Sequence, residues 1–196
     1  VTISASASGA TGVIINAGGS KFDALLGVAL VSSAGNIGVT ATGGITIVGS
    51  ASGRTAVTFN AGNGTVDAWA QSVLTASHGM LKVTGWAGIT IAGSASGVTG
   101  VVVDAGNSTV DAKSSSTLLS SNGTLSVTGT SGVTISSSAT GVRGVTINAG
   151  SGKMVAGSGS SLVSSAGALS VTGTSGITIA KIASGATGLT LDAGGS

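Results

Sequence analysis

Across 196 residues the chain carries 36 Gly, no Pro, no Cys, no Tyr and no Glu, with seven Lys/Arg set against five Asp. That composition excludes disulfides, thiolate metal sites and the large aromatic core of an ordinary globular domain. The sequence pI of about 9.4 rests on cations scattered singly, so no basic stripe follows a phosphate backbone and no nucleic-acid partner is expected.

Taken in chain order, the first 44 residues read as short runs with apolar residues at alternate positions. They are VTI at 1–3, a short SAS segment, VIIN at 13–16, FDA at 22–24, LV at 30–31 and IGVT at 37–40. Gly, Ser or Asn bounds each run, which is strand chemistry, and no segment sustains a 3.6-residue period. The inward columns predicted from the alternation are Val1/Ile3, Val13/Ile15, Phe22/Ala24, Leu30 and Ile37/Val39. Mean hydropathy is positive at +0.61, yet the longest apolar run, residues 24–31, falls far short of the ~20 residues a spanning helix needs. No membrane insertion is expected.

The pattern then begins again at Ile45, Ile89, Val133 and Ile177, which defines repeats 1–44, 45–88, 89–132, 133–176 and a partial 177–196. Thr2, Thr46, Thr90, Thr134 and Thr178 share one column, and Gly9, Gly53, Gly97, Gly141 and Gly185 another. No insertion breaks the spacing, as expected where each copy stacks on the last and an added residue would disturb both neighbours. One turn of 44 residues would enclose more interior than these small side chains fill, so each repeat divides into two coils of about 22. Residues 1–196 are therefore read as a single continuous all-β solenoid, a parallel β-helix. A β-propeller blade also suits 44 residues, but the aromatic signatures of blades are missing and four and a half copies do not close. Neither end reads as a polar cap, and bare coil ends are strand edges that need cover, so a longer array or a filament is expected. Self-association or neighbouring repeats of the same chain are the expected partners.

Asn16, Asn60, Asp104, Asn148 and Asp192 each precede Ala-Gly. Asx side chains bond local backbone and Gly accepts positive φ, so this column is read as structural turns. A calcium ladder would need more carboxylates than two Asp in five positions, and no metal site is expected. Asp23, Asp67 and Asp111 share a second column. At about 9.6 Å between successive members, two strand spacings, they are too far apart for a retaining carboxylate pair. His78 is the single histidine. No catalytic residue or cofactor is expected, and the chain is not read as an enzyme. The stretch NAGSGKM at 148–154 departs from a phosphate loop, because its leading Gly is misplaced and Met154 stands where a magnesium-binding hydroxyl belongs.

The second repeat alone holds Trp69, His78 and Trp86, together with Arg54 and Lys82. Other repeats place Leu, Lys or Gly, then Ala or Asn, then Thr in those three columns, so the three are expected to face solvent as a candidate ligand or partner patch. Thr-x-Thr pairs at Thr40/Thr42, Thr128/Thr130 and Thr172/Thr174 offer an ice-binding alternative, though regular strand threonine accounts for them more simply. Asn63, Asn107 and Asn122 open Asn-x-Thr triplets at turns, sterically open to glycosylation.

GTLSVTGTSGVTI at 123–135, GALSVTGTSGITI at 167–179 and the NAG turns at 16–18, 60–62 and 148–150 resemble the repeats of filamentous-haemagglutinin-like secreted bacterial adhesins. The resemblance is compositional and covers nearly the whole chain. It implies a right-handed parallel β-helix, export to the cell surface or extracellular space, and service as an adhesive stalk or biofilm-matrix fibre, with cell-surface glycans as possible partners. The Asn-Pro-Asn-Gly-Ile type of secretion element of such proteins does not occur here. A carbohydrate- or ice-binding module with an exposed Trp or Thr face is the alternative function.

Overall fold

The computed structural model describes residues 1–194, and among them every regular element is a β-strand. The strands form three nine-stranded sheets, each entirely parallel, joined as nine three-strand coils. The first coil consists of Thr2–Ile3, Ala7–Gly9 and Gly12–Asn16, and the second of Phe22–Ala24, Ala29–Ser32 and Asn36–Thr40. The three strands of a coil lie on faces one, two and three of the solenoid, and each later coil repeats the order.

The coils are not equal. Register partners on face one fall alternately 21 and 23 residues apart, as in Thr2, Asp23 and Thr46. The expected 22 is the mean of two different turns. The corner between faces two and three explains part of this. Odd coils cross it with two residues, Ala10 and Thr11 in the first, whereas even coils use three, as with Ser33, Ala34 and Gly35.

The interior follows the same alternation. On face one the inner column runs Ala24, Ile47, Ala68, Ile91, Ala112, Ile135 and Ala156. On face two it runs Leu30, Ala51, Leu74, Ala95, Leu118, Ala139 and Leu162. A coil with Ile on the first face thus has Ala on the second, and the next coil reverses the pair. Volume stays nearly constant along the axis, as close packing requires. All these side chains are buried, and covering each Leu contributes about 2 kcal/mol relative to exposure. Face three adds pairs such as Ile37/Val39, Val57/Phe59 and Val101/Val103. In the first and ninth coils the same columns are partly or fully exposed, Val13 excepted, and Val1, expected to point inward, is exposed, because each of these coils has a neighbouring coil on one side only.

The glycine column at 9, 53, 97, 141 and 185 serves the short corners. A Cβ at any of these five would be driven into the carbonyl oxygen three residues ahead. The even coils, with one more corner residue, accept Ser32, Ala76, Ser120 and Ser164 in the intervening rungs.

Candidate functional site

Trp69, His78 and Trp86 all belong to the fourth coil, and its three corners separate them. Trp69 follows the face-one strand Val66–Ala68, His78 lies between Val73–Ala76 and Met80–Thr84, and Trp86 lies between Met80–Thr84 and the next coil's Ile89–Ile91. They point from three edges of a triangular section and do not form one patch. Both indoles are exposed, 59% for Trp69 and 58% for Trp86.

Trp69 stands as a fin on an apolar ridge. Leu26, Val48 and Gln71 flank one side, while Ala92, Thr90 and Lys113 flank the other. Asp67 is nearby and accepts a hydrogen bond from the Thr65 hydroxyl at 3.3 Å. Its column-mates are ion-paired, Asp23 with Lys21 at 3.1 Å and Asp111 with Lys113. Thr46 and Thr90 separate the three carboxylates rung by rung. His78 is exposed, and its Nδ1 lies 3.2 Å from the Ser77 hydroxyl.

The Trp86 corner is of a different kind. The five Asx residues each accept, through Oδ1, the N–H of the Gly two residues on, at 2.8–2.9 Å. Those glycines, 18, 62, 106, 150 and 194, have φ between 51° and 73°, a region that Gly enters without penalty. The Asx residues do not stack on one another. A Thr from each even coil lies between them, giving the column Asn16, Thr40, Asn60, Thr84, Asp104, Thr128, Asn148, Thr172 and Asp192. A continuous amide ladder is therefore absent from this column.

Two residues beyond each Thr, the even coils place Thr42, Trp86, Thr130 and Thr174. The three threonine hydroxyls donate to the carbonyls of Gly18, Gly106 and Gly150 at 3.0–3.2 Å. The Thr-x-Thr pairs thus straddle a corner, and their second hydroxyl is engaged with backbone.

Trp86 keeps the backbone bond, donating its N–H to the Gly62 carbonyl at 2.9 Å. Its ring lies across Gly106 of the next coil, where a Cβ would be 3.0 Å from Cδ1. The absence of a side chain at Gly106 is what lets the indole settle there. Beside it opens a concavity of about 440 Å³, lined by Asn60, Gly62, Asn63, Lys82, Thr84, Trp86 and Asp104. Small-molecule sites typically span about 300–1,000 Å³.

Several polar groups in this concavity keep hydrogen-bonding capacity. Asn60 uses Oδ1 to hold Gly62 and to accept from Thr84 at 3.3 Å, leaving its Nδ2 as a donor. Asp104 uses Oδ1 on Gly106 and retains Oδ2 as an acceptor. Among the described residues, no carboxylate lies within 4.0 Å of the Lys82 ammonium. The exposed Asn63, Asn107 and Asn122 all sit at corners.

Sequence reasoning placed Asn60 and Asp104 only in the turn column and did not connect them with Trp86. The missing signal was the coil offset, since residues 20–24 positions apart along the chain are register neighbours along the axis. Comparisons with protein-family models, curated proteins and solved structures returned no match.

Proposed function

We propose that this chain is a structural, adhesive segment of a secreted bacterial surface or extracellular-matrix fibre, whose job is reach and cohesion and involves no catalytic step. The observation that carries the reading is the unbroken stack: three nine-stranded parallel sheets around one continuous apolar core. At ~4.8 Å per coil the stack makes a rod about 43 Å long. In such a rod each coil depends on its neighbours, and load along the axis is shared by three ladders.

The strands of face two support lateral cohesion. Among the described residues they carry no charged side chain, and their outward positions are Ser or Thr except at Ala29, Val31, Val73, Leu119, Val163 and Ile182. An uncharged, flat surface of this kind lets rods lie side by side without charge repulsion.

Electron microscopy of purified, unlabelled material tests the reading. Long fibres whose power spectrum carries a ~4.8 Å axial spacing are expected. Short discrete particles without that spacing overturn it.

A further inference from the structure

We propose that the concavity beside Trp86 is a saccharide subsite that takes one ring of a neutral, hydroxyl-rich glycan. The inference does not rest on the fibre reading, because a solitary rod would carry the site equally well.

The repeat supplies the background against which the site stands out. Where this repeat has Trp86 the others have Thr42, Thr130 and Thr174, and where it has Lys82 they have Gly38, Ser126 and Ser170. Both departures line the same concavity, although one lies on the strand Met80–Thr84 and the other beyond its end. Trp69, the other exposed indole, meets mainly aliphatic side chains, and the nearby Lys113 is paired with Asp111.

The chemistry is that of sugar recognition. An indole face receives the apolar C–H face of a pyranose while hydrogen-bonding groups around it meet the ring hydroxyls. Here Trp86 is the platform, Asn63 and Asn60 offer carboxamides, Lys82 offers an ammonium donor, and Asp104 offers a free carboxylate oxygen. Vicinal hydroxyls, which both donate and accept, suit such a mixed set. The lining sets one cation, Lys82, against one anion, Asp104, so its charge favours neither an acidic nor an amino sugar and the neutral class fits best.

Trp69→Phe in the 196-residue chain leaves Trp86 as its sole indole. Its emission is followed while cellohexaose, mannohexaose or the acidic trimer trigalacturonate is added. A saturable change with at least one neutral hexamer, and none with the acid, is expected. Calorimetry is then run on two variants that copy other repeats. Trp86→Thr is expected to weaken binding about tenfold or more with an unchanged melting temperature. Asp104→Asn keeps the Asx turn, since Asn148 makes the same turn, and is expected to weaken binding less.

No saturable response to either neutral hexamer, full affinity in Trp86→Thr, or a preference for trigalacturonate overturns the proposal. Fibres seen by microscopy from a chain that fails these titrations sink the subsite alone. Binding by a chain that forms only short particles sinks the fibre reading alone.

Discussion

Gly97→Ala adds one methyl group where the fold leaves no room for it. The new Cβ would lie inside 3.0 Å of the Gly100 carbonyl oxygen and 2.9 Å from the Leu81 amide nitrogen. Ordinary contact at a Cβ begins near 3.4 Å, and both obstructing atoms belong to the backbone. Neither has slack. Leu81 pairs directly with Val101, and only Val98 and Thr99 separate the strand ending at Gly97 from the one starting at Gly100. Overpacking usually costs about 1–3 kcal/mol, and rigid obstacles put this case at the upper end, about 3 kcal/mol. Gly19→Ala is the control, because nothing lies within 4 Å of a Cβ there and its φ is not left-handed. That substitution is expected to be neutral or to stabilise by about 0.4–1 kcal/mol through the unfolded chain. A solenoid melts locally, so native-state hydrogen exchange is the suitable assay. Protection of the fourth to sixth coils is expected to fall about a hundredfold in Gly97→Ala, one power of ten per 1.4 kcal/mol. If the two variants exchange alike, the close-approach account of the glycine column is wrong.

The alternating core predicts a coupled pair. Leu118→Ala alone is expected to cost about 2–5 kcal/mol and Ala112→Ile alone about 1–3 kcal/mol. Together they convert the sixth coil to the pattern of its neighbours, and the double variant should recover at least ~1 kcal/mol of the summed loss; additivity within ~0.5 kcal/mol in urea melts would refute the volume argument. Ser120 is fully buried, and its hydroxyl has no hydrogen-bond partner among the described residues. Because Ala76 fills the same column one repeat earlier, Ser120→Ala is expected to raise stability by about 1 kcal/mol, and a lowered melting temperature would show that the hydroxyl is satisfied in solution.

Much of this architecture was legible in the sequence because two periods coincide. Alternation within each run identified Phe22/Ala24, Leu30 and Ile37/Val39 as inward, and all five are buried. The 44-residue spacing brought out the Gly9 and Asn16 columns, which the structure places at a tight corner and an Asx turn. The alternation of 21 with 23 residues stayed hidden, because comparing copies 44 residues apart always sets an odd coil against an odd coil. For the same reason the threonines between the Asx residues went unseen as their axial neighbours. Trp69, His78 and Trp86 are close in sequence, yet a coil of three short strands carries the chain round a corner between each of them and the next. Trp86 instead meets Asn60 and Asn63 of the coil before and Asp104 of the coil after. Cross-coil register decides such neighbours, and local pattern does not record it.

The two-coil period answers demands on both sides of the wall. Inside, Ile47 over Ala68 over Ile91 on one face is balanced by Ala51 over Leu74 over Ala95 on the next. A one-coil repeat would instead stack identical side chains and have to fit a single set of volumes to every rung. Outside, the period sets Asp23, Asp67 and Asp111 two rungs apart with Thr46 and Thr90 between them. A one-coil repeat would bring like carboxylates to the ~4.8 Å rung spacing, where directly opposed like charges destabilise a sheet. Doubling the unit to 44 residues therefore lets an even coil carry Leu on face two, a carboxylate on face one or a longer corner where its odd neighbours carry Ala, Thr and a tight glycine corner. That latitude made room for Trp86: its ring fits because the following odd coil presents Gly106, bare and left-handed, beneath it.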